Sequence, residues 1–185
     1  MIHPVYSKQG IIENFSGLFQ DSNPKGLQIQ SFFEEKYYRK LLLDGRKATF
    51  TLSEIRDQYS FFEDKNSSLA VFFRSNEFIS FASKVCSMRL KSCDCSLKVF
   101  TTGRYTLAHY VRKGKIDFLF DLTATWNLLW GGSSNYITSS GDKLTIPPSA
   151  NNLILLERKG IEGYITYVNH LALSNGRIIV SGTLD

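Results

Sequence analysis

At 185 residues the chain has the length of one domain, and its 43% hydrophobic and 21% charged residues exclude a disordered or fibrous protein. The net charge of +5 is scattered; its densest stretch, Arg112-Lys113-Gly114-Lys115, reads as a solvated turn, so no nucleic-acid or phosphate-binding patch is expected. No run of about twenty apolar residues is present, so no membrane-spanning segment is expected.

The elements follow in chain order. Leu27-Gln28-Ile29-Gln30 alternates as a short strand, and the run opened by Phe32-Phe33-Glu34-Glu35 continues with helical periodicity through Tyr37, Tyr38, Leu41 and Leu42, to end at Gly45. Ser53-Glu54-Ile55 opens a second, weaker helical segment. Ser75 or Asn76 caps a third helix that turns Phe78, Ile79, Phe81, Ala82 and Val85 toward a core. Cys86, Cys93 and Cys95 are an odd number without Cys-x-x-Cys spacing, and no apolar N-terminal segment precedes them. A reduced, cytoplasmic protein is the expectation, with Cys93-Asp94-Cys95 as a loop and strand start.

From residue 96 onward helical periodicity gives way to short β-rich runs separated by Gly, Asn, Ser and Pro. The predicted strands are 97–100, 105–111, 116–122, 136–137, 143–146, 153–156, 164–171 and 178–184. Eight short strands after a helical half give an α+β order, with a sandwich or jelly roll in the second half. The whole chain, 1–185, is therefore expected to be a single domain, with a mixed strand and helix support region at 1–95 and a β core at 96–185.

That second half carries an ordered series of features: Phe100 and Gly103; His109-Tyr110-Val111; the strand from Ile116 leading to Trp126; Trp130-Gly131-Gly132; Gly141; Ile146-Pro147-Pro148; Asn151 or Asn152 before a strand; Thr166-Tyr167-Val168; and Gly176-Arg177. In this order and spacing the half resembles the prolyl-hydroxylase-like branch of the Fe(II)/2-oxoglutarate oxygenases. The resemblance implies a double-stranded β-helix core of the jelly-roll or cupin-like kind, with N-terminal supporting helices. It also implies Fe(II) and 2-oxoglutarate as cofactors wherever the family chemistry survives.

That chemistry needs two His and one carboxylate on a face of the metal. By the resemblance His109 matches the first His, Val111 stands in place of the carboxylate, and Thr166 in place of the second His. His109 is then a vestigial metal ligand or a repurposed acid/base. His170 is the other candidate ligand, but it lies about 13 Å beyond Thr166 along an extended strand. Arg177 matches the basic residue that grips the distal carboxylate of 2-oxoglutarate. Asp121 stands where relatives often carry a Tyr that helps bind that carboxylate, and it can pair with Arg177 instead. Alternation along the strand sends Asp117, Leu119 and Asp121 to one face and Ile116, Phe118, Phe120 and Leu122 to the other. The resemblance turns the first set toward the pocket, and a one-residue slip would turn it to solvent.

Three readings of function follow. The first is an oxygenase-like pseudoenzyme without the usual iron and 2-oxoglutarate binding, acting as a binding or regulatory module, with no cofactor and with a small molecule or peptide in the barrel pocket. The second is a metal-independent enzyme for cyclisation, isomerisation or hydrolysis, with His109, Asp117 and Asp121 as catalytic groups beside Arg177. The third is a divergent hydroxylase in which His109, His170 and Asp117 or Asp121 hold iron.

Overall fold

The computed structural model describes residues 2–45, 47–108 and 114–185. In chain order the helices are α1 (Gln9–Asp21), α2 (Glu35–Gly45), α3 (Ser68–Phe73) and α4 (Asn76–Cys86). The strands are β1 (Gly26–Ile29), β2 (Thr51–Ile55), β3 (Tyr59–Asp64), β4 (Cys93–Phe100), β5 (Tyr105–Thr106), β6 (Ile116–Asp121), β7 (Ser134–Thr138), β8 (Lys143–Ile146), β9 (Asn152–Glu157), β10 (Ile161–Ile165) and β11 (Arg177–Leu184). Short 3₁₀ turns lie at Pro4–Ser7, Leu128–Trp130 and His170–Ala172.

Two antiparallel sheets face each other. The larger runs β1-β9-β6-β11-β4-β3-β2, with β5 joined to β3, and the smaller runs β10-β7-β8. At the centre of the larger sheet β11 lies between β4 and β6, in a register that sets Arg177 opposite Phe100 and Ile179 opposite both Lys98 and Asp121.

The pleat of β6 divides the core. Ile116, Phe118 and Phe120 point to the helix-covered face, where Phe73 stacks on Phe118 at 5.2 Å and Phe33 meets Phe120 at 4.9 Å. Leu119 points the other way, into a second core with Phe61, Phe100, Tyr136, Ile146, Ile154, Ile165 and Ile179 between the two sheets. The α4 helix forms as its sequence implies. The Ser75 hydroxyl accepts from Phe78 N, and Phe78, Ile79, Phe81, Ala82 and Val85 are all buried.

Four expectations need correction. Residues 53–55 are not helical: they lie in β2, which pairs with β3 as a hairpin whose turn holds Asp57 at φ 59°. Leu52 and Ile55 are exposed on that strand. The strand expected over 164–171 ends at Ile165, because Asn169 caps a 3₁₀ turn by accepting from Leu171 N. Of the strand expected over 105–111, only Tyr105–Thr106 form β5; Leu107 and Ala108 lie outside it, and 109–111 lie outside the described residues. Finally, α1 and α3 are additional elements. Through β1, β2 and β3 the N-terminal region also contributes strands to the larger sheet.

The Gly131-Gly132 turn joins the two halves of the barrel wall. Both residues have positive φ, and a Cβ on Gly131 would collide with the Tyr167 carbonyl oxygen, because Gly131 bridges Val168 backbone to backbone. Trp126 closes over the turn by donating from Nε1 to Gly131 O at 2.9 Å, and packs edge-on against Trp130.

Candidate functional site

Alternation from the buried Leu119 places Asp117 and Asp121 on the inner face of the larger sheet. At one end of that face Arg177, 0% exposed, meets Asp121, 1% exposed. The guanidinium donates to Asp121 Oδ2 from both Nε (3.1 Å) and Nη2 (2.8 Å). Its Nη1 donates to the Gly132 carbonyl and to Ser134 Oγ, the latter at 2.9 Å. The carboxylate is matched in turn: Thr123 N donates to Oδ1 at 2.9 Å, and Ser149 N reaches Oδ2 at 3.4 Å. Both charges are thus compensated by protein groups.

Beside this pair a cavity of about 210 Å³ opens between the sheets. Its lining includes Thr106, Asp117, Leu119, Ser134, Arg158 and Ser181. Asp117 accepts from Arg158 Nη1 at 2.7 Å, with both side chains largely buried. Ser181, on β11, accepts from the buried ammonium of Lys98 at 2.8 Å, and Lys98 also reaches the Ser181 carbonyl.

Among the described residues the other candidates do not join the Asp121–Arg177 pair. His109 and Val111 lie outside the described residues, as does Tyr110. The Thr166 hydroxyl accepts from Ser133 N at 2.9 Å and lies near the Ser133 carbonyl, so it serves to hold β10 to the strand beside it. His170 is exposed on its 3₁₀ turn. Tyr164 lines the cavity, whereas Tyr167 is 55% exposed and lies 6.5 Å from Tyr105. The sequence reading did not single out Lys98, Ser134, Arg158 or Ser181. A lysine at an inward position of the strand 97–100 was the one signal, and its partner lies 83 residues away.

Iron and 2-oxoglutarate, the groups the resemblance implies, can be tested against these residues. Four of the five N–H donors of Arg177 are engaged, Nε and one Nη2–H by Asp121 and both Nη1–H by Gly132 and Ser134, so the fork has no free pair of donors for a bidentate grip on a ligand carboxylate. Among the described residues no three His, Cys, Asp or Glu side chains converge as a metal site, and Thr166 is engaged by Ser133. The described residues do not fit the usual grip on 2-oxoglutarate, because Asp121 holds Arg177; of the positions that would hold iron, 109 and 111 lie outside the described residues. No helix is long and apolar enough to cross a membrane among the residues described.

No protein-family model matches the sequence, and no curated protein matches it either. Solved structures do match. A prolyl-4-hydroxylase from Pseudomonas putida superposes with a TM-score of 0.72 at 11% identity, covering 94% of this chain and 97% of that one. A prolyl hydroxylase from Trichoplax adhaerens, in complex with a peptide fragment of the oxygen degradation domain of hypoxia inducible factor, gives 0.72 at 13% identity over 96% and 93%. The non-heme alpha-ketoglutarate-dependent epimerase SnoN from nogalamycin biosynthesis gives 0.69 at 8% identity over 95% and 82%. The fold of this chain is the double-stranded β-helix of the Fe(II)/2-oxoglutarate oxygenases, with supporting helices, as the resemblance implied.

Proposed function

We propose that this chain is a binding or regulatory module built on the oxygenase fold, in which the seat of the 2-oxoglutarate carboxylate is filled by the chain's own Asp121. The observation that carries this reading is the buried Asp121–Arg177 pair at 2.8 Å. A 2-oxoglutarate carboxylate brought to Arg177 would have to displace Asp121 or lie beside it. Two like charges about 4 Å apart repel by about 4 kcal/mol at an effective dielectric constant of about 20. That lowers affinity by about a thousandfold before any cost of breaking the existing pair.

The test uses the full chain prepared without oxygen. Metal content is measured after reconstitution with Fe(II), 2-oxoglutarate is titrated by calorimetry, and succinate formation is followed. The reading expects no stoichiometric iron, no heat of 2-oxoglutarate binding and no succinate. Turnover of 2-oxoglutarate to succinate by the reconstituted protein would overturn it.

A further inference from the structure

The cavity between the sheets has an unbalanced set of hydrogen-bonding groups. Thr106, Ser134 and Ser181 come from three different strands, line the cavity, and are only 2%, 1% and 3% exposed. Each hydroxyl already accepts a hydrogen bond from within the protein. Thr106 Oγ1 accepts from Ile165 N at 2.8 Å, Ser134 Oγ from Arg177 Nη1 at 2.9 Å, and Ser181 Oγ from Lys98 Nζ at 2.8 Å. None of the three donates its own proton to an acceptor among the described residues. A hydroxyl carries one O–H donor, so each of the three has a donor available to whatever occupies the cavity. The wall these three side chains share is that of the cavity, so their complement is a guest with acceptor oxygens.

Two of the three hydroxyls are backed by cations, Arg177 behind Ser134 and Lys98 behind Ser181. A donor polarised in this way forms a stronger bond to an anion. Arg158 adds a third cation at the cavity wall. The carboxylates facing these groups are Asp117, which is bound to Arg158, and Asp121, which is bound to Arg177; Glu162 lies at the exposed rim. A second negative charge on the guest would come to lie in the same small space as Asp117. At about 210 Å³ the cavity is below the roughly 300–1,000 Å³ usual for a drug-sized ligand, so it suits a small guest. Leu119 and Ile165 supply apolar wall.

We propose that this cavity binds a short monocarboxylate, held through its carboxylate oxygens by the hydroxyls of Thr106, Ser134 and Ser181. The proposal deepens the reading above and rests on it, since it requires that Arg177 stay with Asp121 and leave ligand binding to the hydroxyls.

The full chain is titrated at constant ionic strength with sodium propionate, pyruvate and benzoate, and with 2-oxoglutarate. Sodium chloride and propionamide serve as controls, and the readouts are thermal shift and calorimetry. At least one monocarboxylate is expected to bind and to raise Tm, while the controls do not. Ser181→Ala and Thr106→Val are expected to weaken that acid tenfold or more. Should Ser181→Ala not fold, Ser181→Cys, which keeps the size and weakens the donor, replaces it. Binding of no monocarboxylate to the wild type, or equal binding to wild type and variants, overturns the proposal. Binding of 2-oxoglutarate that is abolished by Arg177→Met would instead overturn the reading beneath it. Absence of binding by every acid removes only the monocarboxylate site and leaves that reading standing.

Discussion

Replacing Asp121 with Ala leaves the fully buried Arg177 guanidinium with Nε and Nη2 facing no acceptor, while Nη1 keeps Gly132 and Ser134. Removing one member of a buried ion pair costs about 3–5 kcal/mol, because the remaining charge stays where water does not reach it. For a chain of 185 residues each kcal/mol moves Tm by roughly 2–4 °C, so Tm should fall by roughly 6–20 °C. Arg177→Met strands the carboxylate, which then keeps only Thr123 N and Ser149 N, and a loss of similar size is expected. The double variant Asp121→Leu with Arg177→Met removes both charges and refills the volume, and should regain most of what either single change loses. Denaturant unfolding with an unchanged m-value, supported by calorimetry, supplies the numbers. An Asp121→Ala protein within about 0.5 kcal/mol of wild type would refute the reasoning, since surface changes alone produce differences that small.

Three further outcomes are expected. Asn151 joins the N-terminal region to the barrel by accepting from Phe33 N at 2.9 Å and donating to Phe33 O at 2.8 Å. Asn151→Ala should therefore destabilise by about 2–4 kcal/mol through two lost buried bonds, measured by urea unfolding. Tyr38 donates to Leu122 O, and burial, with help from the Asp121 charge, pushes its phenol up to about 12. Its contribution to stability is complete below the unfolded value of about 10 and is lost as pH rises from about 10 to 12. Tyr38→Phe should flatten the fall of Tm across that window, and equal slopes would contradict the assignment. Asn152 is 1% exposed with neither amide atom partnered among the described residues, so Asn152→Leu should raise stability by about 1–3 kcal/mol in the same urea assay.

The β core was legible because its signals are local. Alternation in Ile116-Asp117-Phe118-Leu119-Phe120-Asp121 separates the two faces of the strand without any tertiary information, and the structure places Phe118 and Phe120 in one core and Leu119 in the other. Residues 51–64 were less legible. The β2 strand is at the edge of the sheet with both faces mostly in solvent, so Leu52, Ser53, Glu54 and Ile55 lack the alternation that burial imposes. The α1 helix did carry a signal, with Ile12, Phe15 and Phe19 at helical spacing, and the sequence reading placed no element there. The hydroxyls of the cavity were not legible at all. Thr106, Ser134 and Ser181 are ordinary strand residues, and what distinguishes them is the donor each meets across the barrel: Ile165 N, Arg177 and Lys98.

The same pleat separates the residues that hold the fold from those that face the barrel. The Phe residues that hold helices and sheet together, Phe73, Phe78, Phe118 and Phe120 among them, lie on the face of the larger sheet opposite Asp121 and Arg177. Packing there is indifferent to which groups point into the barrel, so a TM-score of 0.72 at 11% identity is compatible with different inner-face chemistry. An arginine buried at the head of β11, by contrast, is stable only with an anion beside it. With an uncharged residue at position 121, the anion would have to come from a bound ligand; with Asp121 it comes from the chain, at 2.8 Å and without dependence on ligand concentration. The Asp121–Arg177 pair then holds whether or not the cavity is filled, and under the proposal above recognition falls to the hydroxyls of Thr106, Ser134 and Ser181.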